Sequence, residues 1–380
     1  MTLLQPMMVA ALLVGGMGVA LLGSIKLPLA RRLQIDEAQV GGLVSLFAFV
    51  MIPVIFTAGF LTDLVGRQAV LFSGSLLFAA SLGLLALART YTLALVAVIL
   101  LGGAWSLLIN VGNVLTPVAF PGSKVYATNL ANVFFGLGAF LTPLAVAFLI
   151  RRASLPGALA LLAALALIPG VLAVPIDFSA LLPAAAATSG LGMRTLLADP
   201  ILWLCGLALF CYGPLEASMA AWTTTYLRDR GVQEEKASSL LSGFWLVYML
   251  ARLVTAFSLP AGREAVFILI LALASVGVLA AFVSSRSQLL AMLTVLAAGL
   301  VFGPIFPTIV AILLGHFPEA LHGRAVGLFF AIGGIGWTTI PILIGAYARR
   351  TSVQRGFSIA VAVAIGLSLV GLELVRRGEL

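Results

Sequence analysis

Charge is what this sequence most conspicuously does without. Lys, Arg, Asp and Glu together make up 9% of its 380 residues, against about 25% in an ordinary water-soluble domain. So few ionised groups cannot keep a folded chain of this size in water, which excludes a soluble globular protein. Cysteine is scarce as well. Cys205 and Cys211 lie in one apolar run, which argues against a disulfide framework or a metal site and for two small buried hydrophobes. The two histidines, His316 and His322, share one polar break and read as solvent-exposed. With no His-rich or Cys-rich pattern, neither a metal nor a cofactor is expected. The net charge of +8 is spread over the polar breaks without a basic stripe and interleaved aromatics, which argues against a nucleic-acid partner.

What the chain has in excess is apolar runs. Hydrophobic residues make up 62% of it, in stretches of about 20, the length a helix needs to cross a bilayer core of about 30 Å. Counting runs between polar breaks predicts twelve spans: 7–30, 38–61, 68–88, 92–116, 127–150 and 156–175, then 200–226, 238–259, 265–284, 288–315, 325–347 and 355–375. The longest break separates six spans from six. The predicted domains are therefore an N-terminal six-helix bundle (1–176), a central linker (177–199) and a C-terminal six-helix bundle (200–380). The first run lacks a positive n-region and a small-x-small cleavage site, so it is expected to be retained as a span.

The two halves resemble each other. Gly66-Arg67-Gln68-Ala69-Val70 recurs 196 residues on as Gly262-Arg263-Glu264-Ala265-Val266, each between the second and third spans of its half. Phe134-Phe135-Gly136-Leu137-Gly138 recurs 195 residues on as Phe329-Phe330-Ala331-Ile332-Gly333, each in the fifth span of its half and each followed by a proline, Pro143 or Pro341. Halves repeated in the same sense imply a pseudo-two-fold axis along the membrane normal, with a ligand site near the midplane.

The break after the second span reads Gly59-Phe60-Leu61-Thr62-Asp63-Leu64-Val65-Gly66-Arg67. Its glycines permit a tight turn and close helix approach, and its Asp and Arg can make charge-assisted bonds that latch a gate. This stretch resembles the signature loop of the major facilitator superfamily. Further stretches are similar to the fucose and glucose/galactose permease-like branch: Asn129-Leu130-Ala131-Asn132-Val133-Phe134 in the fifth span, Tyr212-Gly213…Glu216…Trp222…Tyr226-Leu227 in the seventh, Ser242…Trp245…Ala251-Arg252 in the eighth, and Gly299…Pro304-Ile305-Phe306-Pro307-Thr308 in the tenth. The resemblance implies an all-α membrane protein of the major facilitator fold, twelve transmembrane helices in two pseudo-two-fold-related bundles, acting as a transporter by alternating access. It departs at two points. Where the branch places acidic residues before the Leu-Pro of the first span and four before an Asn of the fourth, this chain has Ser24 and Ile109.

Three ionisable residues fall inside predicted spans, where a charge costs about 2.5–3.5 kcal/mol on insertion scales. Glu216 lies about 24 Å along the seventh span at 1.5 Å per residue and reads as a coupling group that loads and releases a proton, or else as one member of a fixed structural pair. Arg252 reads as a clamp for a carboxylate, or as the structural arginine that the resemblance favours. Lys26 reads as a snorkelling lysine, or as an anion-binding cation. Amides suit sugar recognition because each offers donors and an acceptor. Asn113, Asn129 and Asn132 are accordingly candidate substrate contacts, or else make hydrogen bonds between packed spans; Asn129 and Asn132 share a helix face. The resemblance implies the same for Asn132, and it places Trp222, Trp245, Tyr248, Phe306 and Trp337 along cavity walls, where aromatic faces stack on sugar rings or simply pack helices.

The resemblance also places both termini and the Asp63–Arg67 loop in the cytoplasm, in a bacterial inner membrane. Loop charge runs the other way: the inner side then carries Arg67, Lys124, Arg194, Arg263, Arg324, Arg376 and Arg377, and the outer side Arg31, Arg32, Arg89, Arg151, Arg152, Arg228, Arg230, Lys236, Arg286, Arg349, Arg350 and Arg355, the reverse of the positive-inside expectation. The signature loop is the more specific of the two signals and sets the expected orientation. No Gly-x-x-x-x-Gly-Lys-Ser/Thr loop is present, which argues against ATP as the driving force. The reading is a monomeric secondary transporter of a small polar solute, a sugar or sugar-like compound, with proton coupling through Glu216. The alternatives are an organic-anion carrier built on Lys26 and Arg252, and a membrane sensor that moves nothing. No catalytic cluster supports an enzyme.

Overall fold

The computed structural model of the chain describes residues 3–178 and 193–378; most of the expected linker and the side chains of Glu37, Ala38 and Asp63 lie outside the described residues. Among the described residues, twelve helices are long and apolar enough to cross a membrane: Leu4–Leu33, Gln39–Thr62, Arg67–Leu87, Tyr91–Ala119, Lys124–Arg152, Leu155–Ala173, Pro200–Asp229, Glu234–Ser258, Glu264–Ser284, Gln288–His316, Glu319–Arg350 and Val353–Gly378. They are the twelve spans that hydropathy predicts, with ends displaced by a few residues.

Polar residues at the breaks set where helices begin. Asp36 and Gln39 form a capping box at the second span, and the side chains of Thr90, Ser154, Asp199 and Ser287 cap the fourth, sixth, seventh and tenth. Each supplies an acceptor for a first-turn N–H that has no helical partner. The eleventh span starts earlier than hydropathy predicts, because a 3-10 turn at Glu319–Leu321 leads into the helix at His322. His322 is therefore buried, a correction to its expected exposure. His316 remains partly exposed, with Nε2 2.8 Å from Oδ2 of Asp199.

The chain forms two compact units. One comprises Met1–Pro121, Ala131–Gly192 and Pro318–Gly327; the other comprises Gly122–Leu130, Met193–Phe317 and Leu328–Leu380. Packing inside the two units repeats. In the first, the third span packs on the fourth and sixth, the second on the fourth, and the first on the fourth and sixth. In the second, the ninth packs on the tenth and twelfth, the eighth on the tenth, and the seventh on the tenth and twelfth. Each pairing has its counterpart six spans on, which is the structural expression of the repeated sequence.

Candidate functional site

The tenth span is where the second unit's polar site begins. Gly299 and Gly303 stand one turn apart and face the eighth span. A Cβ on Gly299 would lie 2.5 Å from the carbonyl oxygen of Phe244, and one on Gly303 would collide with the carbonyl of Tyr248. Only glycine lets the two backbones meet this closely, the small-xxx-small device of membrane helices. Immediately after it the helical hydrogen bonding stops and restarts, from Phe302 to Ile305, although Gly303 and Pro304 keep right-handed helical dihedrals. The cause is proline. The N–H of residue 307 would serve the Gly303 carbonyl, and Pro307 has none. Arg252 of the eighth span fills that role, its Nε donating to the Gly303 oxygen at 2.8 Å. A polar group freed inside a membrane span must find such a partner.

Arg252 in turn organises the side chains below it. Its Nη2 donates to the Tyr248 hydroxyl at 2.5 Å, and the guanidinium lies 4.2 Å from the centre of that ring. The Tyr248 hydroxyl lies 2.8 Å from Oε2 of Glu216 and 2.8 Å from the hydroxyl of Tyr212. Tyr212, one turn before Glu216 on the seventh span, donates to the same Oε2 at 2.8 Å. Gly303, Arg252, Tyr248, Tyr212 and Glu216 thus form one connected polar network in an apolar bundle. Arg252, Tyr248 and Tyr212 are buried, whereas Glu216 is only half-buried. Glu216 is thus the least buried member of the network, and its inner members stay hydrogen-bonded away from the surface.

The predicted aromatics distribute around this centre. Trp245 meets Tyr248 edge-on with ring centres 5.2 Å apart. Trp337 packs on Gly213, Trp222 on Gly345, and Phe306 on Phe329 and Phe330. All four predicted Trp and Phe side chains are half-buried in the second unit, but of these Trp245 is the one in ring contact with the network.

In the first unit Asn110 is fully buried. Its Nδ2 donates to the Gly323 carbonyl at 3.1 Å and its Oδ1 lies 3.1 Å from the Thr62 hydroxyl. Asn113 is half-buried and bonds the Ile109 carbonyl of its own helix at 2.8 Å. Asn132 is buried in the first unit. Asn129 groups with the second; its Nδ2 bonds the Val125 carbonyl at 3.1 Å, while its Oδ1 is buried with no hydrogen-bond partner among the described residues. Lys26 is exposed. The signature loop grips the start of the eleventh span: a Cβ on Gly59 would strike the Gly323 carbonyl, and Arg67 Nη2 donates to the Glu319 carbonyl at 3.0 Å. Gly66 turns the chain at a φ of 90°. The side chain of Asp63 lies outside the described residues.

Sequence reasoning did not single out Tyr212 or the Pro307–Arg252 relation. The first had a signal, a tyrosine one helical turn before an intramembrane glutamate. The second needed the knowledge of which arginine faces which broken helix.

Comparison with known proteins agrees with this architecture. The family model described as Major Facilitator Superfamily matches residues 7–261, more than half of the chain. Bypass of stop codon protein 6 of Saccharomyces cerevisiae is 28% identical over 174 residues, a match covering 43% of this chain and 35% of the yeast protein. The chain thus spans about a third of that relative's length. Among solved structures, the E. coli fucose:proton symporter FucP, as a single-substitution variant, superposes with a TM-score of 0.79 at 17% identity, covering 97% of this chain and 98% of its own. The human organic anion transporter MFSD10 superposes with a TM-score of 0.75 at 16% identity, covering 97% and 99%. At these identities the likeness is one of fold. Twelve apolar spans in two halves of repeated packing, a signature loop at the second-to-third break and a family match over most of the chain lead to one conclusion: this integral, multi-pass membrane protein belongs to the major facilitator superfamily.

Proposed function

We propose that the chain is a secondary active transporter that moves a small polar solute, a neutral sugar or sugar-like compound, by alternating access, with proton coupling through Glu216. The observation that carries this reading is the half-buried carboxyl of Glu216, set inside a span and bonded to two tyrosines that are themselves tied to a buried arginine. A carboxyl so placed can gain or lose a proton while both tyrosines stay bonded to it. Taken unit by unit, Asn113 and Asn132 of the first are amides and Trp245 of the second is an aromatic face, side-chain types that suit a polyol, and Gly59, Gly66 and Arg67 act as a gate latch at the start of the eleventh span. The fold similarity to a fucose:proton symporter supports the solute class. The expected setting is a bacterial inner membrane with both termini cytoplasmic and the chain monomeric.

The similarity to a human organic anion transporter favours the second reading, an organic-anion carrier. Arg252 suits it poorly: it is buried, and its Nε and Nη2 already serve Gly303 and Tyr248.

The test is Glu216→Gln in proteoliposomes, with solutes chosen from neutral monosaccharides and small carboxylates by ligand-dependent thermal stabilisation. The variant is expected to lose pH-driven uptake and keep counterflow. Unchanged proton dependence removes Glu216 from the mechanism, and absence of counterflow for any stabilising solute favours a sensor over a carrier.

A further inference from the structure

Three oxygens of the second unit stand in a closed triangle. Glu216 Oε2, the Tyr212 hydroxyl and the Tyr248 hydroxyl are each 2.8 Å from the other two. Contacts of that length are O–H···O hydrogen bonds, and each needs a proton between its oxygens. The two phenols supply two protons. A protonated Glu216 supplies the third, and the bonds then run round the triangle with every side filled. An ionised Glu216 leaves one side empty.

Which side empties follows from bond strength. A hydrogen bond to a carboxylate is about twice as strong as one between neutral groups. Both phenols therefore turn toward Oε2, and the Tyr212–Tyr248 contact is left as two oxygens facing each other with no proton between them. Tyr248 is poorly placed to yield. Arg252 donates to its oxygen and lies against its ring, Trp245 abuts its edge, and Arg252 is fixed to the Gly303 carbonyl. Tyr212 rides on the seventh span with Glu216. The titratable groups at this point are thus Tyr212 on the seventh span and Tyr248 and Arg252 on the eighth. Cys205 and Cys211 sit further back on the seventh, Cys211 against Gly366. The eleventh span, packed on the seventh through Trp337 and Gly213, carries its titratable groups near its ends, His322 and Arg324 at one and Tyr347, Arg349 and Arg350 at the other, and the tenth and twelfth do likewise, with His316 beside Asp199 and Glu373 beside Arg377.

We propose that Tyr212 and Tyr248 are positioning residues that convert the charge of Glu216 into the packing of the seventh span on the eighth: they are hydrogen-bonded to each other while Glu216 holds its proton and part when it is released. The proton passes to water at the half-buried end of the network, and no other covalent bond forms or breaks. This rests on the reading of Glu216 as the coupling carboxyl and adds the residues through which its charge moves a helix.

The experiment is pH-jump infrared difference spectroscopy on the full chain in proteoliposomes, with ring-labelled tyrosine. The wild type is expected to show a protonated-carboxyl band, absent from Glu216→Gln, and tyrosine C–O bands that change with the same midpoint. Tyr212→Phe and Tyr248→Phe are each expected to reduce that tyrosine signal about two-fold while the carboxyl band persists. Silent tyrosine bands beside a titrating Glu216 band overturn the proposal and leave proton coupling standing. Proton-driven uptake with no carboxyl band sensitive to Glu216→Gln overturns the coupling role of Glu216 and this proposal with it. The labelled wild type decides the question even if a tyrosine variant does not fold.

Discussion

If Arg252 substitutes for the hydrogen bond that Pro307 cannot make, the two residues must be energetically coupled, and the sign of the coupling is fixed by the structure. Arg252→Met removes the donor at 2.8 Å from the Gly303 carbonyl, leaving a buried acceptor unpaired at a cost of about 1–3 kcal/mol. Its net effect on stability mixes that cost with relief from burying a charge, so the single variant is uninformative. Pro307→Ala restores an N–H in the position from which a helix serves Gly303, and it also gains about 3 kcal/mol of helix propensity in any background. The propensity gain cancels in a double-mutant cycle. What remains is the restored bond, which matters most where Arg252 is missing. Pro307→Ala is therefore expected to stabilise the Arg252→Met variant more than the wild type, by about 1–3 kcal/mol. Equilibrium unfolding in mixed micelles, followed by far-UV circular dichroism, measures all four corners. An equal effect of Pro307→Ala in both backgrounds would refute the assignment of Arg252 as the partner of the broken helix.

Gly299→Leu is expected to abolish recovery of folded protein, because no side chain fits against the Phe244 carbonyl, whereas Gly277→Ala, which meets open space inside a helix, should keep the yield and leave the melting temperature no lower; size-exclusion profiles in detergent compare the yields. Asn110→Leu removes two buried bonds, to Gly323 and Thr62, and at about 0.6 kcal/mol per intramembrane side-chain bond the loss should be about 1 kcal/mol by the same unfolding assay. Lys26→Gln should leave counterflow of a neutral solute within about two-fold of wild type, since Lys26 is exposed; a selective loss of carboxylate transport would instead support the organic-anion reading.

The order of residues along the chain is enough to establish the membrane, the number of crossings and the twofold repetition. Each of these is local or periodic: an apolar run of bilayer length, a polar break with a capping residue such as Asp36 or Ser287, a motif copied at a fixed offset. Glu216 and Arg252 are equally visible, because a charge inside an apolar run is costly wherever the helix points. Their relation is not. Whether Arg252 faces a solute, lipid or protein depends on which carbonyl lies opposite, and that carbonyl is free only because Pro307, 55 residues further along, lacks a hydrogen. The GxxxG spacing of Gly299 and Gly303 marks a close approach without naming the helix that makes it. The packed helices resolve these points, because side-chain hydrogen bonding inside a membrane is set by helix neighbours and rotations, and no single helix encodes either.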